Sequence, residues 1–155
     1  MPAICHQPPD RDRDRGTCRS TCYAAEWVTM PTALVIDDSS ASRTLLKGIL
    51  RQSGFTVHEA IDGTSGLLEL AAKWPIDLVL LDWHMEPMGG PEFLRQVRDD
   101  PRTVGVPVIM ITAESGRQSV VEMAKLGVQG YVIKPFDKQM VATRVAALGL
   151  AATGG

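Results

Sequence analysis

Five reactive side chains in this chain each follow a run of β-branched and other apolar residues. Asp37 and Asp38 come after Ala33 to Ile36, Asp82 after Ile76 to Leu81, Thr112 after Val106 to Ile111, and Lys134 after Tyr131 to Ile133. Two carboxylates about 4 Å apart repel by roughly 4 kcal/mol at an effective dielectric near 20, so such a cluster stays ionised only beside a cation. Magnesium suits it, because that ion takes one or two carboxylates, keeps several waters and leaves room for a phosphate oxygen. Lys134 offers a point charge to one phosphoryl oxygen and Thr112 a hydroxyl to another. An aspartate oxygen set between metal and ammonium is placed to attack phosphorus and hold the product. Singly, each residue has an ordinary reading: the Asp37-Asp38 pair as a helix cap, Lys134 as a surface charge, Thr112 as a β-former. The chemistry exists only if these groups meet.

They meet if the apolar runs are parallel strands, since the strands of such a sheet end at one edge. From Thr32 onward short β-rich runs alternate with helix-period stretches, the pattern of βα units. The strands are expected at Ala33 to Ile36, Phe55 to Glu59, Ile76 to Leu81, Val106 to Ile111 and Tyr131 to Ile133. Ser39 or Ser40 caps a first helix that runs to Ser53 and stops at Gly54, and a second spans about Thr64 to Trp74 before Pro75. Pro91 suits the first turn of a third helix. A fourth spans about Ser115 to Leu126 and ends at Gly127, and Asp137 caps a fifth that runs to about Leu148. Strict alternation implies an α/β, doubly wound, five-stranded parallel sheet with five helices and right-handed crossovers.

The 155 residues, 45% hydrophobic and 22% charged, suit one globular domain with a proper core. A net charge of −2 supplies no basic field for nucleic acid or an anionic membrane, and no apolar run approaches a bilayer span of about 20 residues. The N-terminus lacks the apolar core of a secretory signal, so the expected location is the cytoplasm and the expected state a monomer. Residues 1–31 differ in kind. They carry all three cysteines and the alternating run Asp10 to Arg15, and are read as a disordered or weakly ordered extension. Cys5, His6, Cys18 and Cys22 are conceivable zinc ligands, but only Cys18 and Cys22 approach a ligand-pair spacing, so reduced thiols are expected. Met30-Pro31 directly precedes the first strand and is a conceivable translation start. Residues 32–149 form the domain and 150–155 a flexible tail.

The strings DDSSASR, LLDWHM, ITAE and GVQGYVIKPF stand in the order and spacing of bacterial two-component response-regulator receiver domains, and most resemble the CheY-like single-domain type. The similarity covers about Thr32 to Leu148. It implies a flavodoxin-like strand order 2-1-3-4-5, which comes from the resemblance and not from periodicity. It also implies that Asp82 is the phospho-acceptor for a sensor histidine kinase or phosphotransfer protein. Asp38, Asp37 through water, Asp82 and the backbone carbonyl of His84 would then ligate Mg2+. Thr112 and Lys134 would bind phosphoryl oxygens, a cis Lys134-Pro135 bond is implied, and Tyr131 matches the family's switch aromatic. Drawing Thr112 inward would vacate space for Tyr131 and bias helix four, making helix four, strand five and helix five the docking face for a downstream target, such as a flagellar motor switch. Val120, Val121, Met123, Ala124 and Leu126 exceed what one core-facing stripe needs, so helix four either packs more tightly or faces a partner.

The chain departs from many relatives at His84-Met85-Glu86, with Pro87 one place late and Gly89-Gly90 before helix three. His84 and Glu114 occupy positions that, by the resemblance, tune dephosphorylation. His84 serving only through its backbone carbonyl is the plainer reading. Two other functions compete. Asp82-Trp83-His84 opens a D-x-H-x-x-G motif of cobalamin-binding modules, with His84 on cobalt, but Pro87 stands at the glycine position. An aspartyl-nucleophile phosphatase would want an acid where His84 stands.

Overall fold

The structure is a computed structural model that describes residues 30–149. The conceived zinc ligands and the tail from 150 lie outside the described residues, as does the proposed extension apart from Met30 and Pro31. The elements alternate as expected: β1 (Thr32–Ile36), α1 (Ser40–Gln52), β2 (Thr56–Ala60), α2 (Gly63–Ala72), β3 (Leu78–Leu81), α3 (Gly90–Asp99), β4 (Val108–Thr112), α4 (Arg117–Lys125), β5 (Gly130–Ile133) and α5 (Lys138–Ala147). All strand pairs are parallel, in the order β2-β1-β3-β4-β5.

Several boundaries differ from those expected, for local reasons. β3 begins at Leu78, not Ile76, because the Asp77 carboxylate turns back to accept the Thr32 N–H at 2.8 Å. β4 begins at Val108, not Val106. Pro107 has no N–H to give a ladder, and the Val106 carbonyl accepts from Arg98 at 2.8 Å. β4 also takes in Thr112, and β2 is shifted one residue to Thr56–Ala60. α2 runs from Gly63 to Ala72, and α4 is shortened to Arg117–Lys125. The capping expectations are met: Ser39 accepts from Ser42 N–H, Asp137 accepts from Met140 N–H, and Gly54 and Gly127 have φ of 90° and 82°, where a Cβ would be strained.

The sheet is buried on both faces, as a parallel sheet must be. Leu34, Ile36, Val79, Leu81, Val108 and Met110 point to one side, under α2, α3 and α4. Ala33, Val35, Leu78, Leu80, Ile109 and Ile111 point to the other, under α1 and α5. Each strand end is joined to its neighbour by one backbone bond beyond the ladder: Asp37 N–H to Ala60 O at 3.2 Å, Asp82 N–H to Ile36 O at 2.9 Å, and Lys134 N–H to Thr112 O at 2.8 Å. The reactive residues are therefore held by the backbone before any side-chain contact forms. Arg98 braces the opposite end, donating to the Val104, Val106 and Gly127 carbonyls at 2.8 Å each.

α3 starts tightly against the end of β3. A Cβ on Gly90 would collide with the Asp82 carbonyl oxygen and sit 3.1 Å from Trp83 Cα, both rigid backbone. Gly90→Ala is expected to destabilise the fold by about 1–3 kcal/mol, measured as a lowered urea midpoint at unchanged slope.

Candidate functional site

The sequence-derived residues gather at the carboxyl edge of the sheet. Asp37 is 1% exposed, Asp82 6% and Thr112 0%, whereas Asp38 is open to solvent. Carboxylate oxygens of Asp37, Asp38 and Asp82 all lie within 4.8 Å of one another. Lys134 reaches in from the end of β5, its Nζ 2.9 Å from Asp37 Oδ2 and 3.4 Å from Asp82 Oδ2. The other Asp37 oxygen, Oδ1, accepts from the Ser39 N–H at 2.8 Å, so its carboxylate orientation is set from two sides. An all-oxygen acidic set with one open member fits a hard divalent cation that keeps some of its water.

The charges raise and lower one another. Burial and the nearby Asp37 charge raise the Asp82 carboxyl, while Lys134 and the Trp83 N–H pull it down, leaving it above the usual carboxylate value. Burial alone would lower the Lys134 ammonium. The hydrogen bond to Asp37 and the charges of Asp82 and Asp37 outweigh it and raise the group.

Thr112 is at the expected strand end, but its hydroxyl oxygen accepts the Glu114 N–H at 3.0 Å rather than meeting a carboxylate. Tyr131 lies opposite Met110 and is half-buried against the α2-α3-α4 side of the core. His84 projects outward, 68% of its side chain exposed, and its Nε2 lies 3.4 Å from Glu114 Oε2. The Gly116 N–H, together with His84 and Ser119, holds the Glu114 carboxyl below its ordinary value. The Lys134-Pro135 bond is cis, as the resemblance implied, and Trp74-Pro75 and Glu86-Pro87 are cis as well. In the departing loop Met85 is buried in the core and Met88 packs against it, while Glu86 and Pro87 face solvent. On α4, Met123 is fully buried and Leu126 packs on the core, but Val121 and Ala124 face outward, so the apolar excess is not all core.

Sequence reasoning missed Arg43. Its Nη1 donates to the Asp37 carbonyl at 2.7 Å, and its Nε lies 3.6 Å from Glu59 Oε2. The available signal was an Arg near the N-terminus of α1, where the helix macrodipole disfavours a cation, so some other contact must hold it there.

Comparison with known proteins agrees with this geometry. The family described as "Response regulator receiver domain" matches residues 33–146. Chemotaxis protein CheY of Pseudomonas aeruginosa is 42% identical over 113 residues, spanning 72% of this chain and 90% of that protein. Chemotaxis protein CheY-3 of Vibrio cholerae is 41% identical over 104 residues, 66% of this chain and 79% of that protein. Among solved structures, CheY4 of Vibrio cholerae superposes with a TM-score of 0.72 at 29% identity, covering 77% of this chain and 99% of that one. A CheX-CheY-BeF3-Mg2+ complex from Borrelia burgdorferi gives 0.72 at 29%, covering 77% and 89%.

The chain belongs to the response regulator receiver domain family, a class of signalling proteins and not of enzymes in the usual sense. Within it, the chain is a CheY-like, phosphorylation-dependent response regulator of the chemotaxis type. The cobalamin-binding and phosphatase readings find no support. Among the described residues no helix is long and apolar enough to cross a membrane.

Because Asp82 is raised in the fold, its ionised form costs stability. The cost is absent below the ordinary carboxylate value and develops as pH rises through the raised one. Asp82→Asn is expected to stabilise the metal-free protein at neutral pH by about 1 kcal/mol at most, since water at the open edge screens the repulsion. The gap should close in thermal melts on acidification.

Proposed function

We propose that Asp82 accepts a phosphoryl group from the phosphohistidine of a sensor kinase or phosphotransfer protein, with Mg2+ held by Asp38, Asp37, Asp82 and the His84 carbonyl. The observation that carries this reading is the single ammonium of Lys134 shared between Asp37 and Asp82. It places a fixed positive charge where a transferred phosphoryl group would bring negative charge. A carboxylate oxygen of Asp82 forms the new P–O bond as the P–N bond to the donor histidine breaks, and the imidazole leaves with a proton. Mg2+, when bound, offsets charge on the phosphoryl oxygens. Lys134 meets one phosphoryl oxygen as a point charge. The Thr112 hydroxyl keeps its proton for donation, because its oxygen accepts from Glu114 N–H.

The output follows from Thr112 and Tyr131. A phosphoryl group adds nearly two negative charges, draws the Thr112 hydroxyl inward and shifts the balance of the half-buried Tyr131. Outward Val121 and Ala124 support a docking face on α4, β5 and α5 for a downstream protein, such as a motor switch. A domain spanning 32–149 and a cytoplasmic, monomeric protein belong to the same reading.

Incubation with acetyl phosphate and Mg2+ is expected to give one stable label per chain, lost in Asp82→Asn and on chelation. In Lys134→Ala labelling should slow by about 10²-fold. Multiple turnover of varied phosphomonoesters would overturn the acceptor reading. The His84 side chain reaches across to Glu114 beside the site, so His84→Asn is expected to change the rate of label decay several-fold. Equal decay in the two proteins would leave His84 only its backbone role.

A further inference from the structure

Asp37 is held through both of its backbone polar groups, one by β2 and the other by a side chain of α1. Its N–H donates directly to the carbonyl of Ala60 at 3.2 Å. Its carbonyl accepts at 2.7 Å from Nη1 of Arg43, whose side chain is 15% exposed. Arg43 is in turn set against Glu59, the residue before Ala60, with Nε to Oε2 at 3.6 Å. Glu59 lies opposite Val35 in the β1-β2 ladder, and its carboxylate also binds Lys47 Nζ at 2.7 Å. Among the described residues Arg43 Nε is the buried side-chain nitrogen without a hydrogen bond, so Glu59 faces it as an ion-pair partner only, and the direct grip on the site is the Nη1 bond to the Asp37 carbonyl.

We infer that Arg43, braced by Glu59, is a positioning residue for the divalent cation. It grips the Asp37 peptide and so sets the direction in which the Asp37 and Asp38 carboxylates leave β1 toward Asp82. The inference rests on the reading that this edge binds Mg2+. Charge and positioning predict opposite signs here. Arg43 is a cation near a cation site, so by Coulomb's law alone its removal would tighten Mg2+ binding. If Arg43 acts by orienting ligands, its removal weakens binding, as loss of a residue behind a metal ligand commonly does. The device also needs a guanidinium. A lysine ammonium on a flexible stem can reach the Asp37 carbonyl but does not face Glu59 with the same rigid fork.

The test is calorimetric titration of the full chain with MgCl2, alongside thermal melts. Wild type is expected to bind Mg2+. Arg43→Ala should bind about tenfold more weakly, Arg43→Lys should fall between, and Glu59→Gln should lose several-fold. Because Glu59 acts through Arg43, adding Glu59→Gln to Arg43→Ala should cost nothing further. Arg43→Ala binding Mg2+ as tightly as wild type, or more tightly, would overturn the inference while leaving the Mg2+ reading intact. If Arg43→Ala does not fold, unchanged affinity in both Arg43→Lys and Glu59→Gln overturns it. Wild type failing to bind Mg2+ would overturn the metal reading and this inference with it.

Discussion

Two buried carboxylates close together cannot both stay ionised without positive charge, and the active edge of this protein is arranged around that constraint. Asp37 and Asp82 come from adjacent strands whose register is fixed by a ladder of fully buried aliphatic residues. Moving them apart would break the core. Lys134, carried on the far edge strand, shares one ammonium between them. The raised Asp82 carboxyl records how incompletely that charge offsets burial and repulsion. In the reading proposed above, a further cation and an anionic group arriving opposite it relieve that tension.

The backbone makes that tension bearable. Bonds from Asp37 to Ala60, Asp82 to Ile36 and Lys134 to Thr112 fix every participating strand end. Gly90 lets the start of α3 close against the Asp82 carbonyl, where any Cβ would push it away. Side chains then add direction: Ser39 and Lys134 orient the two oxygens of Asp37, and Arg43 holds its carbonyl. What surrounds this frame is freer. His84 and Glu114 meet across the mouth on exposed side chains, and the loop between Met85 and Gly90 anchors by its methionines while leaving Glu86 and Pro87 in water.

Much of this was legible in the chain, because a parallel strand buried on both faces is a short apolar run and the polar residue after it must stand at the carboxyl edge. Asp82 after Leu81 and Lys134 after Ile133 are read that way. Strand starts were less legible, since the Asp77 side chain takes the N–H of Thr32, 45 positions away, and Pro107 has no N–H to give the ladder. For Arg43 the chain offered only the oddity of a cation near a helix N-terminus, because its role depends on a glutamate sixteen residues away on β2. The outward turn of Val121 beside the inward turn of Met123 likewise depends on where α4 settles on the sheet.

The sequence by itself determined the alternation of elements, the edge at which the reactive groups collect and, through its motifs, the family. These follow from local hydrophobic period and from the one-directional geometry of βα units. Only the tertiary structure decided that one lysine serves two aspartates, that Thr112 turns its oxygen to Glu114, and that Arg43 leans on Glu59 to hold Asp37. The two Lys134 contacts join residues 97 and 52 positions apart, and the shorter-range ones of Thr112 and Arg43 still take a geometry set by strand register and helix placement, which no local pattern encodes.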